Sequence, residues 1–202
     1  MKNNNQQPEK FDLSYWNNRW QTKETGWDIG YASPSLTQFA ETEIPKNASI
    51  LIPGCGNAYE AAYLIENNYQ NVTVLDIAAV AIENLKAKFN GDKRITILCE
   101  DFFNHQKTYD FILEQTFLSA LPKEMRSSYA AKMAQLLKPN GILSGVLFSI
   151  DFNNPFPPFG GSVEAYQKLF EPYFAIEKLE RCYNSIPPRE GNEVFIKLRK
   201  NK

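Results

Sequence analysis

Residues 50–57 read Ile-Leu-Ile-Pro-Gly-Cys-Gly-Asn, an apolar strand that runs directly into a glycine turn. A second apolar strand at residues 72–75 delivers Asp76 about twenty residues after the turn. Gly54 and Gly56 carry no Cβ, so the backbone there can come close to a ligand, and an acid at the tip of the next strand can accept hydrogen bonds from ribose hydroxyls. This pairing predicts a cleft for a nucleotide-type cofactor.

Strands and helices alternate downstream of this turn, which predicts a parallel sheet covered by helices on both faces. Two helices are expected before the sheet, at residues 11–21 and 34–39. The predicted strands of the alternating part are residues 49–52, 72–75, 95–98, 111–113 and 142–150, and the predicted helices are residues 58–67, 78–89 and 123–137.

The C-terminal part has a different pattern. Residues 153–162 contain three prolines and two glycines, which predicts a loop above the sheet. A helix at residues 163–170 and two strands at residues 174–179 and 193–198 follow. Two late strands separated by a turn-rich segment favour an antiparallel hairpin that closes the sheet.

Length and composition restrict the class of protein. A chain of 202 residues suits one well-buried domain. With 22 Lys and Arg against 23 Asp and Glu, it has no basic stripe for nucleic acid, and no apolar run is long enough for a membrane span. Cys55, Cys99 and Cys182 are odd in number and scattered, which fits neither a disulfide framework nor a metal site and favours a reducing cytoplasm.

The cofactor is predicted from the residues around the turn. A dinucleotide fingerprint would place Gly or Ala at position 59, where this chain has Tyr59. S-adenosylmethionine has no phosphate and needs close backbone approach, an acid for the ribose and an apolar slot for adenine. Asp76 supplies the acid, and Asp101 with Phe102 after the third strand supplies an acceptor for the adenine amino group and an apolar surface.

Simpler interpretations remain open for each residue alone. The glycines can form a tight turn without a ligand, and Asp76 can cap the following helix. Asp101 with its two phenylalanines can be a strand-end turn over core aromatics. Because all three features occur in order at strand ends, where open α/β sheets bind ligands, the cofactor site is the preferred interpretation.

All three tryptophans precede the sheet, at Trp16, Trp20 and Trp27. A buried core position is the usual place for a tryptophan. Here the segment has no strand to belong to, and aromatic rings near a sulfonium are favourable through cation–π attraction. We therefore expect residues 11–45 to form a lid over the cofactor.

The residues also resemble the thiopurine S-methyltransferase family, and more closely its plant thiol/halide methyltransferase branch, the harmless-to-ozone-layer proteins. The likeness extends from Trp16 to Arg199. Its motifs are Trp16-Asn17-Asn18-Arg19-Trp20, Gly26-Trp27-Asp28 with Gly30, Ile52-Pro53-Gly54-Cys55-Gly56-Asn57-Ala58, Leu75-Asp76-Ile77, Asp101-Phe102-Phe103, Thr116-Phe117, Ala120-Leu121-Pro122, Met125-Arg126, Leu136-Leu137-Lys138-Pro139-Asn140-Gly141 and Pro157-Pro158-Phe159.

The resemblance implies a Rossmann-like class I S-adenosylmethionine-dependent methyltransferase fold, with a mostly parallel seven-stranded sheet, a C-terminal antiparallel hairpin and an N-terminal helical lid. It implies one domain, with a disordered start at residues 1–10, the lid at 11–45 and the core at 46–202. The implied cofactor residues are Trp16, Trp20, Trp27, Gly54, Gly56, Asp76, Asp101, Phe102 and Gln115, and the implied substrate residues are Arg126, Phe159 and Arg189.

Two departures from the family pattern bear on the acceptor. This chain has Glu114-Gln115 where the family commonly has Asp-Tyr, and Phe159 followed by two glycines where the plant branch has a Tyr. Either arginine can instead be part of an ordinary salt bridge.

The sequence contains one histidine, His105, which lies in a polar stretch and is expected in a surface loop. No general base is therefore predicted. A thiol or a halide needs none, because a thiol is partly ionised at neutral pH and highly nucleophilic.

The predicted function is transfer of a methyl group from S-adenosylmethionine, leaving S-adenosylhomocysteine, to a small thiol, thiopurine, hydrosulfide or halide. The alternatives are a cofactor-binding protein without turnover and, less favoured, an NAD-dependent oxidoreductase. We expect a cytoplasmic monomer that binds a small-molecule substrate and neither nucleic acid, membrane nor metal.

Overall fold

A computed structural model describes residues 11–201, which form a seven-stranded sheet with helices on both faces. The expected disorder of residues 1–10 lies outside this range. The strands are β1 Ser49–Pro53, β2 Asn71–Asp76, β3 Ile95–Cys99, β4 Tyr109–Gln115, β5 Leu137–Phe148, β6 Phe174–Arg181 and β7 Glu193–Lys200. The helices are α1 Leu13–Gln21, α2 Pro34–Glu43, α3 Tyr59–Glu66, α4 Ala79–Lys88, α5 Phe117–Ala120, α6 Arg126–Gln135 and α7 Val163–Phe170, with 3₁₀ turns at Phe102–Asn104, Lys123–Met125 and Pro187–Arg189.

The strand order is β3-β2-β1-β4-β5-β7-β6. The first five strands are mutually parallel, whereas β7 runs antiparallel to both β5 and β6. This arrangement confirms the predicted mostly parallel sheet with a C-terminal antiparallel hairpin. The chain order reverses between β1 and β4, and open α/β sheets bind their ligands at such a switch point.

The central strands are buried because helices cover both faces of the sheet. Ile50 and Ile52 of β1 face a core built with α2, α3 and α4, whereas Leu51 faces a second core built with α6 and α7. Tyr129 and Phe170, both fully buried, fill the second core. These two cores fix the strand ends that carry the site.

The predicted boundary between the helix at residues 123–137 and the strand at residues 142–150 was wrong. The predicted helix consists of a 3₁₀ turn and α6, and it ends at Gln135. β5 begins at Leu137, which pairs with Tyr109, and an irregularity in the β4–β5 register accommodates residues 138–141. Pairing with β4 therefore removes Leu137 from the helix and extends the strand toward the N-terminus.

Across residues 11–201, no helix has both the length and the apolar character that crossing a membrane requires.

Candidate cofactor and acceptor site

A cavity of about 1010 Å³ opens at the carboxyl ends of the parallel strands. Its volume lies at the upper end of the range of about 300 to 1,000 Å³ that is usual for ligand pockets. All the predicted cofactor residues except Gln115 line it, together with one predicted substrate residue, Arg189. The lining members of the prediction are Trp16, Trp20, Trp27, Gly54, Gly56, Asp76, Asp101, Phe102 and Arg189.

The glycine turn after β1 is left-handed at both glycines, with φ of 59° at Gly54 and 49° at Gly56. A Cβ on Gly54 would lie 2.4 Å from Cδ2 of Phe117, and one on Gly56 would lie 3.2 Å from Cζ2 of Trp20. Both the conformation and the space therefore require glycine. The turn presents bare backbone to the cavity beneath two aromatic rings.

Asp76, at the end of β2, is fixed by two backbone donors. Its Oδ2 accepts a hydrogen bond from the N–H of Gly56 at 3.0 Å, and its Oδ1 accepts one from the N–H of Ala78 at 2.9 Å. Burial raises the pKa of this carboxyl group, and the backbone donors oppose that shift. Because each carboxylate oxygen has a second lone pair, Asp76 can brace the turn and still accept from a ligand hydroxyl.

Asp101 and Phe102 follow β3. Oδ1 of Asp101 accepts from the N–H of Phe103 at 2.8 Å, which starts the 3₁₀ turn and orients both phenylalanines. The Phe102 ring is buried, with its centroid 5.1 Å from that of Phe117 in an edge-on contact. The arrangement forms an apolar wall with a carboxylate at its rim.

The three tryptophans form one aromatic cluster on the N-terminal segment. The ring centroid of Trp27 lies 5.5 Å from that of Trp16 and 6.0 Å from that of Trp20. Asp12 caps α1 by accepting from the N–H of Ser14 at 3.0 Å. This cap fixes the start of the helix that carries Trp16 and Trp20, both of which line the cavity.

Polar contacts attach this N-terminal segment to the core. Oδ1 of Asn17 accepts from the N–H of Val80 at 3.3 Å, next to the start of α4. Oδ2 of Asp28 accepts from Nδ2 of Asn57 at 2.6 Å and from the hydroxyl of Tyr59 at 3.2 Å. Tyr59 occupies the position where a dinucleotide site would carry a small residue, and here its hydroxyl binds the N-terminal segment.

Arg189 lies in the cavity wall beside apolar side chains. Nη2 of Arg189 donates to the carbonyl oxygen of Trp27 at 2.8 Å, and Nη1 lies 3.4 Å from Oε1 of Glu193. Burial raises the pKa of Glu193, while Arg189 opposes that shift. The guanidinium also lies 5.1 Å from the ring centroid of Phe148. Other apolar lining residues of the cavity are Leu121, Met125, Phe148, Phe152, Phe156, Pro157 and Pro158.

Three predicted site residues do not line the cavity. Nη2 of Arg126 donates to the carbonyl oxygens of Phe159 and Gly160, at 3.0 and 2.8 Å, so Arg126 holds the proline-rich loop. The Phe159 ring packs on Phe11, which does line the cavity, at a centroid distance of 5.5 Å. Gln115 pairs with Val146 in the sheet, and its Oε1 is buried without a partner among residues 11–201.

The expectation that His105 is a surface loop residue was wrong. The side chain is buried, with Nε2 2.8 Å from the hydroxyl of Tyr109 and Nδ1 in contact with Oε1 of Glu100. The local sequence is polar, but these two partners satisfy both ring nitrogens and allow burial. His105 is not among the cavity-lining residues, so it is not placed to act as a base there.

Several lining residues were not predicted as site residues. Arg19 and Phe117 occurred only within the motifs of the family resemblance, and Phe148, Phe152 and Phe156 were read as strand or loop. The signal available for Arg19 was its position within the tryptophan-bearing helix.

Comparison with known proteins identifies the family. A family model described as thiopurine S-methyltransferase matches residues 11–200. The chain belongs to the thiopurine S-methyltransferase family. A probable thiol methyltransferase 2 from Arabidopsis thaliana is 32% identical over 193 residues, which cover 92% of this chain and 84% of that protein. A thiopurine S-methyltransferase from Vibrio campbellii is 29% identical and covers 80% of this chain and 83% of its own length.

Solved structures agree on the fold. A 1,6-didemethyltoxoflavin N1-methyltransferase from Burkholderia thailandensis, solved with S-adenosylhomocysteine, superposes with a TM-score of 0.76 at 16% identity, covering 94% of this chain and 87% of that one. This family member therefore has the class I S-adenosylmethionine-dependent methyltransferase fold, and it is an enzyme of that class.

The cavity fits S-adenosylmethionine by its own chemistry. The glycine turn leaves room that a Cβ would fill, Asp76 offers a fixed acceptor, and the aromatic rings of the N-terminal segment suit a positively charged sulfur. Tyr59, at the position where a dinucleotide fingerprint carries Gly or Ala, weighs against a pyrophosphate at this turn. The turn, Asp76 and the Asp101–Phe102 pair thus have the chemistry that this cofactor requires.

Proposed function

We propose that this enzyme methylates small thiols and related soft anions, in a largely apolar cavity beside Arg189 and without a general base. The observation that carries the proposal is the cavity lining, which is rich in phenylalanine and proline and includes Arg189 in contact with the Phe148 ring. An apolar wall suits a polarisable sulfur, and a nearby cation favours its ionised form. The relatives named for thiol and thiopurine methylation support the same acceptor class.

Arg189 would bind or orient the anionic acceptor. Its side chain is only 11% exposed, and two contacts, with Glu193 and with the carbonyl of Trp27, hold it in position. A guanidinium held in this way spends little conformational entropy when it pairs with an anion. Its position between the apolar wall and Trp27 places positive charge beside the aromatic cluster.

The cofactor, when bound, supplies an electrophilic methyl group on a positively charged sulfur. The aromatic cluster of the N-terminal segment would stabilise that charge and exclude water. We propose that residues 11–45 act as a lid, since Asn17 and Asp28 attach them to the core beside the glycine turn. We also propose that Gln115 contacts the cofactor and that Arg126 and Phe159 belong to the acceptor side. Arg126 holds the proline-rich loop there, and the Phe159 ring packs on Phe11.

A base is unnecessary for this acceptor class. An alcohol must lose its proton during attack, whereas a thiolate is already ionised. The Cys55 thiol, whose pKa burial raises well above its ordinary value, is unsuited to act as a nucleophile in its own right.

The decisive experiment is methyl transfer from labelled S-adenosylmethionine to matched acceptors. Thiophenol, hydrosulfide, thiocyanate, iodide and a thiopurine are compared with phenol, the oxygen analogue of thiophenol. We expect transfer to several of the soft nucleophiles and none to phenol. Preferential methylation of phenol would contradict a base-free site, and cofactor binding with no transfer to any acceptor would indicate a binding protein without turnover.

Arg189→Met tests the role of the cation. Removing a charge-assisted contact worth about 1.5 to 3 kcal/mol lowers kcat/KM for thiocyanate by roughly 10- to 100-fold. Arg181→Met is the control, because Arg181 is an exposed arginine that does not line the cavity. Equal rates for both variants would remove Arg189 from the acceptor site.

We also propose a cytoplasmic monomer. The free cysteines Cys55, Cys99 and Cys182 suit a reducing compartment. Light scattering on the purified chain measures the oligomeric state directly, and a dimer mass would contradict the proposal.

A further inference from the structure

The cavity wall carries two positively charged side chains, Arg19 and Arg189, among the residues that the structure describes. The methionine end of the proposed cofactor carries a carboxylate, which in a largely apolar cavity requires a charged partner. Only an arginine whose N–H donors are not already used can bind this carboxylate. This inference rests on the proposed use of S-adenosylmethionine.

Arg189 already has partners for its donors. Nη1 faces Glu193, whose side chain is 5% exposed, and Nη2 donates to the carbonyl oxygen of Trp27. A carboxylate bound through two parallel hydrogen bonds would compete with these contacts for both terminal nitrogens, whereas a small acceptor anion that binds through one atom needs a single N–H. Arg189 is thus poorly suited to bind the cofactor carboxylate.

Arg19 has an available edge. Its Nη1 donates to Oε2 of Glu24 at 3.1 Å, while its Nε is buried and has no hydrogen-bond partner within residues 11–201. Glu24 is 58% exposed, so water weakens its hold on the guanidinium. A buried donor without a partner costs free energy, which a ligand acceptor would recover.

The guanidinium of Arg19 is held in place by rings. Its central carbon lies 5.8 Å from the ring centroids of both Tyr15 and Trp27. Tyr15 precedes it by one helical turn, and Trp27 belongs to the aromatic cluster. At these distances the rings make cation–π contacts close to the outer limit of about 6 Å, which favour this position of the guanidinium without using its N–H donors.

The neighbouring residue connects Arg19 to the glycine turn. Trp20 lies 3.2 Å from the position that a Cβ of Gly56 would occupy, and the N–H of Gly56 donates to Asp76. The helix that carries Arg19 therefore reaches the same turn that faces the ribose acceptor. We propose that Arg19 binds the carboxylate at the methionine end of the cofactor through its Nε–Nη2 edge, in a bidentate contact.

A truncated ligand separates this role from simple bracing of the aromatic cluster. 5′-Methylthioadenosine keeps the adenine, ribose and thioether of S-adenosylhomocysteine but lacks the amino-acid end. Affinities of both ligands are measured by calorimetry on the full chain, for the unaltered protein, Arg19→Met, Arg19→Lys and the control Arg181→Met.

We expect Arg19→Met to weaken S-adenosylhomocysteine binding by about 10- to 100-fold and 5′-methylthioadenosine binding by less than about threefold. Arg19→Lys keeps the charge but loses the bidentate geometry, so it gives an intermediate loss for S-adenosylhomocysteine alone. Urea unfolding of each variant, compared with that of the unaltered chain, detects misfolding separately.

Equal weakening of both ligands by either variant would show that Arg19 only braces the rings, and unchanged affinity for both would exclude it from the site. Either result overturns the inference while the proposed function stands. If the unaltered protein binds neither ligand, the proposed function fails and the inference fails with it.

Discussion

Glu114 is a buried acid whose ionisation should control stability across neutral pH. It lies at the end of β4, fully shielded from solvent, and its Oε1 accepts from the N–H of Leu118 at 2.8 Å. Its Oε2 has no partner in the part of the chain that the structure describes. Burial raises the pKa of this carboxyl group to about 8 from an ordinary value of 4.5. At pH 7 the native protein therefore holds a proton that the unfolded chain releases.

The sign follows from proton linkage. The native state binds more protons than the unfolded state between pH 4.5 and about 8, so the free energy of unfolding falls as pH rises through this window. At 1.36 kcal/mol per pH unit, the loss across the window is roughly 5 kcal/mol. Below pH 4.5 and above pH 8, this group adds no further pH dependence.

Glu114→Gln removes the ionisation and keeps an acceptor for Leu118. Urea unfolding of both proteins at pH 5, 6.5 and 8.5 should show the variant gaining stability relative to the unaltered chain by about 4 kcal/mol over this range. Glu190→Gln, at an exposed position, serves as the control and should track the unaltered chain at every pH. A stability difference between Glu114→Gln and the unaltered chain that stays constant with pH would refute the reasoning.

Two further predictions concern the turn and the histidine. Gly54→Ala adds a Cβ 2.4 Å from the Phe117 ring at a φ of 59°, so it should abolish measurable S-adenosylhomocysteine binding in calorimetry. The control is Gly91→Ala, which has a φ of 78° and open space around the added Cβ. This control carries only the backbone cost of about 1 to 2 kcal/mol and should bind S-adenosylhomocysteine normally. His105→Ala leaves Tyr109 and Glu100 without their imidazole partner, so the free energy of unfolding measured in urea should fall by about 1 to 3 kcal/mol. The kcat of this variant should stay nearly unchanged. A thousandfold fall in kcat would contradict the base-free site.

The order of strands and helices was predictable because it depends on local patterns. Continuous apolar runs such as the one ending at Pro53 indicate strands buried on both faces. The glycine turn and Asp76 were also predictable, because each follows an apolar strand and the carboxyl ends of parallel strands meet at one edge of the sheet. The C-terminal hairpin followed from two late strands and one turn-rich segment.

The features that the sequence did not reveal depend on contacts between distant residues. His105 is buried because Tyr109 and Glu100 meet its two nitrogens, and no local pattern signals that arrangement. Arg126 is directed to carbonyls of the proline-rich loop, more than thirty positions away. That Nε of Arg19 is buried without a partner in residues 11–201 could not be predicted, because it depends on the positions of all the acceptors around it in the folded chain.

One short stretch, Trp27-Asp28, is bonded to both halves of the cavity. Its carbonyl oxygen at Trp27 is held by Arg189 on the acceptor side, and its carboxylate at Asp28 is held by Tyr59 beside the cofactor turn. Detaching this stretch would therefore open the cavity beside the glycine turn and beside Arg189 together. Spent cofactor and methylated product are expected to leave through one shared opening event, and a tether engineered across Asp28 and Tyr59 would slow the departure of both.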